Sequence, residues 1–152
     1  METLERIIAE HPCFRGLESY YTGLLTGCAK NVRFPGGTYI FKAGEEANEF
    51  YLVRSGRVML ELFAPPRQPI IVATLAEGDI LGWSWLFPPF VWKFHAHATK
   101  ETRAIALDGK CLRTKCEQNH DLGYEFLRRF SQIVVKRLEA TRLQLLDIYA
   151  AP

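Results

Sequence analysis

Residues 50–62 read FYLVRSGRVMLEL. From Arg57 onward the side chains alternate, with Val58, Leu60 and Leu62 on one face and Arg57, Met59 and Glu61 on the other. A period of two marks a half-buried antiparallel strand. Phe50–Arg54, rich in aromatic and branched residues, reads as a second strand, and Ser55-Gly56 between the two has the composition of a hairpin turn.

The same texture continues on either side. Upstream, Val32–Phe34 leads into the turn Pro35-Gly36-Gly37, Tyr39–Phe41 is a short strand, and Ala43-Gly44-Glu45-Glu46 is another turn. Downstream come the loop Pro65–Pro69, a strand over Ile70–Leu75 and the turn Glu77-Gly78-Asp79; two further strands follow over Phe94–Thr99 and Arg103–Leu107. Short strands punctuated roughly every 8–12 residues predict a mainly β fold, a jelly-roll barrel of about eight strands.

The flanks are helical. Leu4, Ile7 and Ile8 recur at helical spacing behind a Thr3 N-cap, and Pro12 ends that helix. A second helix is expected over Leu17–Cys28. Asp108 caps a short helix through Cys116, and Asp121 caps a last helix to Tyr149. The stripe of that helix is Leu127, Phe130, Val134, Leu138, Thr141, Leu145 and Ile148. At a length of roughly 40 Å it outruns a small barrel, so part of the stripe is expected to lack an intramolecular partner; pairing with a second copy is the simplest cover.

Residues 1–152 thus read as one domain, with helices over 1–30, the barrel over 31–108 and helices over 109–150. The chain is 48% hydrophobic and 24% charged, which excludes disorder, and a formal charge of +2 gives no electrostatic reason for a nucleic-acid surface. No apolar run is long enough for a membrane span, and the N-terminus lacks a signal-peptide core, so a cytoplasmic protein is expected. Cys13, Cys28, Cys111 and Cys116 have no metal-ligand spacing and are expected to be reduced and partly buried. The basic residues from Lys110 to Arg142, among them Arg113, Arg129, Lys136 and Arg137, read as a solvated helix face.

One connection is unusual. Residues 78–97 read GDILGWSWLFPPFVWKFHAH and hold all three tryptophans, Trp83, Trp85 and Trp92, around Pro88-Pro89. A long apolar connection either folds over a core or walls a pocket.

Taken together, G-x-x-I-F-x-x-G-E (Gly37 to Glu45), F-Y-L-V-x-S-G-x-V (Phe50 to Val58), L-x-x-G-D-x-L-G (Leu75 to Gly82) and the closing long helix resemble the cyclic-nucleotide-binding domain, the sensor half of the catabolite-activator superfamily. The likeness implies a regulatory module whose phosphate-binding cassette is 78–98, with cAMP or cGMP as the ligand. The cassette residues it points to are Leu81, Gly82, Trp83, Ser84, Trp85, Leu86, Trp92, Lys93 and Phe94.

The cassette departs from the family pattern at both ligand contacts. Trp83 stands where a ribose-binding glutamate belongs, and the phosphate-binding arginine position falls on Trp92 or, with a one-residue slip, Lys93. A planar guanidinium grips a phosphate bidentately, which an ammonium cannot do. Losing two charge-assisted contacts costs about 3–6 kcal/mol if they add, about two to four decades of affinity. Weak or absent cAMP binding is the expectation. The indoles either form an aromatic pocket for another ligand or fill the nucleotide's space.

A competing reading is a cupin-like metal enzyme. His95, His97 and Glu101 have an H-x-H-x-x-x-E spacing, but Phe94, Ala96 and Ala98 claim the core face, which turns both imidazoles the other way. No nucleophile–base pair is present, so no enzyme activity is expected. The chain stops just past the long helix, so DNA binding by this chain alone is not expected. The partners expected are a small-molecule ligand and a second copy docked through helix 121–149, with no membrane.

Overall fold

The computed structural model describes residues 3–150. Two helices, α1 (Leu4–Glu10) and α2 (Ser19–Thr26), precede six strands: β1 (Ala29–Phe34), β2 (Tyr39–Phe41), β3 (Glu49–Leu62), β4 (Ile70–Leu75), β5 (Ile80–Leu81) and β6 (His95–Asp108). Helices α3 (Gly109–Gln118) and α4 (His120–Ala150) close the chain. The sheet is antiparallel in the order β1-β6-β3-β4, with β2 added to β6 and β5 to β3. This is the expected architecture: mainly antiparallel β, N-terminal helices and a long C-terminal helix. No described helix is long and apolar enough to cross a membrane.

Several local expectations hold. Thr3 Oγ1 accepts from the Arg6 amide, His11 ends α1 just before Pro12, β2 and β4 have the expected bounds, and Asp108 caps α3 by accepting from the Cys111 amide. Others need correction. Helix α2 is shorter than Leu17–Cys28, because Gly27 closes its last turn. The cap of α4 is Asn119, whose side chain accepts from the Leu122 amide, while Asp121 lies inside the first turn.

The strand count changes for one reason. Ser55-Gly56 is not a hairpin: β3 runs on through it, and both halves pair with β6, from Glu49↔Asp108 to Glu61↔His95. The two strands expected over 94–99 and 103–107 are likewise one strand. Register shifts at Val53/Ser55, Ser55/Arg57 and Arg57/Val58 bend the pair instead of ending it. Gly56 (φ +108°) sits so close to Thr102 that a Cβ would overlap its backbone. Thr102 Oγ1 accepts from the Arg57 amide at 3.2 Å and donates to the Lys100 carbonyl at 2.9 Å.

The period of two sorts the long strands between two cores. Phe50, Leu52, Ile105 and Leu107 point to a layer shared with the helices, where Ile8, Phe14, Leu25, Leu112, Leu122, Phe126 and Phe130 meet them. Tyr51, Val53, Ala104 and Ala106 point into the barrel with Phe41, Val58, Leu60, Leu75 and Ala96. Both faces of Phe50–Val53 are covered, which explains its uninterrupted apolar run.

The cysteines also need correction. Cys28 and Cys111 form a disulfide, while Cys13 and Cys116 are free and half-buried. The pairing follows from topology. Ala29 opposes Leu107, the Asp108 amide donates to the Cys28 carbonyl, and the first turn of α3 then brings Cys111 alongside. Burial pushes the Cys13 thiol up to about 12 and the Cys116 thiol up to about 11, so both are poor nucleophiles.

On α4 the inward face is Leu122, Phe126, Phe130 and Ile133, and of the stripe expected from sequence only Phe130 is fully buried. Leu127, Leu138, Leu145 and Ile148 are exposed, as expected for a helix longer than its barrel. Phe130 packs edge-on to Phe50 and Trp85 at 5.2 and 5.4 Å. Phe130→Ala should therefore destabilise the fold by about 3–5 kcal/mol, read as a lowered midpoint in urea unfolding followed by circular dichroism.

Candidate functional site

The segment between β5 and β6 is pinned to both cores. Trp85 is fully buried in the helix layer, stacked on Phe50 at 4.7 Å with Phe126 edge-on at 5.7 Å. Its carbonyl accepts from Arg113 Nη1 at 2.5 Å, and the Arg113 guanidinium lies 4.2 Å over the Phe90 ring. Trp92 goes to the opposite side, into the barrel, with its ring 3.7 Å from Phe41 and nearly parallel to it. Around it the backbone docks on the 44–47 turn: the Gly44 amide donates to the Trp92 carbonyl, the Trp92 amide to the Glu45 carbonyl, and the Ala47 amide to the Phe90 carbonyl.

Gly82 makes room for this arrangement. Its φ is +99°, and a Cβ there would lie 2.5 Å from Trp92 Cη2. What remains open is a cavity of about 20 Å³, bounded by Phe41, Leu60, Leu81, Gly82, Trp83, Ser84, Trp92, Phe94 and Arg137. A single water needs about 10–15 Å³ by the same measure. The space between cassette and barrel is thus reduced to room for about one water.

Six of the nine sequence-predicted cassette residues meet there: Leu81, Gly82, Trp83, Ser84, Trp92 and Phe94. Trp85 and Leu86 turn to the helix layer, and Lys93 is exposed. Sequence reasoning missed Phe41, Leu60 and above all Arg137, which reaches in from α4 with its guanidinium 5.5 Å over the Trp83 ring. A signal for Arg137 existed. Phe126, Phe130, Ile133 and Arg137 follow one another at steps of 4, 3 and 4, so a cation occupies a position of the buried stripe.

The basic residues of the C-terminal helices are therefore not only a solvated face. Arg113 and Arg137 are half-buried, and Arg129 Nη1 donates to the Cys13 carbonyl at 2.7 Å and the Arg15 carbonyl at 3.1 Å.

The H-x-H-x-x-x-E residues are separated by their partners. Ala96 and Ala98 are buried and His95 and His97 lie on the opposite face, as the register argument requires. His95 Nδ1 accepts from the Ala43 amide at 2.9 Å, and His97 Nδ1 lies 3.2 Å from Glu61 Oε1 with its ring stacked on Tyr39. Glu101 turns to Arg33 and Arg103, and the hydrogen bond from Arg33 holds its carboxyl below the usual range. Among the described residues no three His, Cys, Asp or Glu side chains are grouped to hold a metal ion.

Gly82→Ala tests the close packing. The positive φ and the overlap with the indole together should cost about 2–4 kcal/mol. Tryptophan emission should shift to the red as Trp92 is displaced; unchanged emission and stability would mean that the ring does not sit against Gly82.

Residues 31–119 match the cyclic nucleotide-binding domain family. The chain is 26% identical over 145 residues to a CRP-like cAMP-activated global transcriptional regulator of Mycobacterium tuberculosis, covering 95% of this chain and 63% of that protein. It thus spans less than two thirds of that relative's length. Among solved structures, a Geobacter metallireducens protein assigned to cyclic nucleotide binding is 28% identical with a TM-score of 0.80, covering 91% of this chain and 99% of that one. The catabolite activator protein of Thermus thermophilus shares the fold at 24% identity and a TM-score of 0.70, over 91% of this chain and 63% of that one. Over more than half its length, then, this chain is a member of the cyclic nucleotide-binding domain family.

Proposed function

We propose that this chain is a non-enzymatic regulatory module of cyclic-nucleotide-binding fold whose cassette is closed by its own side chains, so that cAMP and cGMP bind weakly or not at all. One observation carries the reading: Trp92 lies on Phe41 beneath Gly82 and leaves only about 20 Å³ open. Two substitutions in the motif support it independently, since Trp83 offers no carboxylate for a ribose and Lys93 is an exposed point charge. Glu101 is committed to arginines, which argues against the cupin-like metal site. In mechanism, the cassette acts through α4. Trp85 packs on Phe126 and Phe130 and Trp83 lies under Arg137, so a shift of the cassette re-seats that helix.

The test is isothermal titration calorimetry with cAMP and cGMP, paralleled by tryptophan fluorescence. No saturable binding below about millimolar concentration is expected. Submicromolar affinity would sink the reading.

The exposed apolar residues of α4 support a homodimer through helix 121–149. Leu138, Leu143, Leu145, Leu146 and Ile148 are each at least half exposed or nearly so along one helix end. Light scattering at high protein concentration should give twice the monomer mass, and Leu145→Glu should return it to the monomer with its circular dichroism spectrum intact. A monomeric native protein under those conditions removes the dimer.

A further inference from the structure

The Cys28–Cys111 disulfide borders a cavity of about 350 Å³. Gly27, Lys30, Asp108 and Lys110, all exposed, line the same cavity, so it opens to solvent. Its volume falls within the range of small-molecule sites. The two sulfur-bearing residues are not equally covered. Cys28 is 9% exposed and belongs to the helix-layer core, whereas Cys111 is half-buried at the edge of that core. A disulfide with one half beside an open cavity is of the kind that exchanges, while a shielded one resists reduction. Neither free thiol supplies the attack from within the chain. Burial pushes Cys13 up to about 12 and Cys116 up to about 11, so each is almost wholly protonated at pH 7. The attacking thiol must come from solution.

The bridge joins the residue before β1 to the first turn of α3, and that turn rests on the cassette. A Cβ on Gly109 would lie 2.9 Å from Trp85 Cβ. Arg113 donates to the Trp85 carbonyl and lies over the Phe90 ring. Cys111 therefore stands between the two residues through which α3 holds the cassette. The same turn has supports that do not depend on the sulfurs. The Asp108 amide donates to the Cys28 carbonyl at 2.9 Å, the Gly109 amide donates to the Asn48 carbonyl at 2.7 Å, and Leu112 is fully buried. Opening the bridge thus releases a covalent restraint while these contacts keep α3 in place.

We propose that the Cys28–Cys111 bridge is a redox site, opened by a dithiol that enters this cavity, and that its state sets how firmly α3 holds the cassette. One sulfur of the dithiol, as a thiolate, bonds to Cys111 Sγ; the Cys28–Cys111 bond breaks, and Cys28 leaves as a thiolate that takes up a proton. The second sulfur of the dithiol then attacks the first, and Cys111 leaves and is protonated in turn. The protein disulfide gains two electrons and becomes two thiols. The dithiol loses those electrons and becomes a disulfide, and its two protons end on the cysteines. This cavity shares no residue with the space beneath Gly82, so the inference does not depend on whether a nucleotide binds there.

The experiment treats the whole folded chain with dithiothreitol in the absence of denaturant. Iodoacetamide then alkylates the free thiols, mass spectrometry maps the labelled cysteines, and tryptophan emission is recorded alongside. Label on both Cys28 and Cys111 is expected, with a change in emission that reverses on reoxidation. Label on these two only after urea unfolds the chain overturns the redox site, because the bond is then shielded. Reduction that leaves the emission unchanged overturns the link to the cassette. Arg113→Gln should cut the emission change to less than half while Cys28 and Cys111 are still reduced. An undiminished change in that variant also overturns the link, since the bridge then acts on an indole without α3. In Cys28→Ser, Cys111 should form a mixed disulfide with oxidised glutathione about tenfold faster than Cys13 or Cys116. Equal rates at the three cysteines overturn the assignment of Cys111 as the attacked sulfur.

Discussion

The antiparallel ladder between β3 and β6 governs the rest of the molecule. It runs from Glu49↔Asp108 to Glu61↔His95 and bends once, where Gly56 passes against Thr102. Every other strand pairs with one of these two. The ladder decides which residues face the helices and which face the barrel interior, because side chains alternate and one slip would exchange the two sets. On the other edge of β6, direct pairing sets the start of β1 beside the end of β6, which is how cysteines 83 residues apart meet.

The cassette inherits its character from that ladder. It leaves β5, paired near the Tyr51 end of β3, and must reach the start of β6, paired near Glu61. On the way it places one indole in each core. The barrel face of β6 is lined with small residues, Ala96, Ala104 and Ala106, and the ring of Trp92 belongs to the same cluster. An indole buries on the order of 200 Å², worth about 5 kcal/mol at 25 cal/mol per Å². Under the proposed function, a ligand that displaces the ring would have to offset that, about three to four decades of affinity. In that proposal the penalty is separate from the glutamate and arginine contacts that Trp83 and Lys93 would fail to make, and both act in the same direction.

Much of this was legible in the sequence, and what was not has a common cause. Helix caps at Thr3 and Asp108, the bounds of β2 and β4, and the opposite facing of His95 and His97 follow from local pattern alone. The Ser55-Gly56 bend did not, because a glycine with φ > 0 serves a hairpin turn and a bulge equally well; Thr102, far along the chain, decides between them. The disulfide was hidden for the same reason, since spacing says nothing about pairs that only topology brings together. For the site, motif reading found six cavity residues but missed Phe41 and Leu60 on neighbouring strands and Arg137 on α4. Read as part of a charge run, Arg137 looked solvated. At its place in the 126–130–133 stripe it points inward.

Arg137 also divides α4 into two physical regimes. Before it, Leu122, Phe126 and Phe130 are buried and Ile133 packs on the same core, so tertiary contacts hold the helix. After it no described residue is buried, although Leu138, Leu143, Leu145, Leu146 and Ile148 are all apolar. Helical propensity alone holds so short a segment only marginally in water, and packing of an apolar face is what ordinarily stabilises it. The boundary between the two regimes is a half-buried guanidinium that touches the cassette ring on one side and a polar cavity on the other. Arg137 thus stands where the anchored half of the helix meets the half whose apolar face has no partner among the described residues.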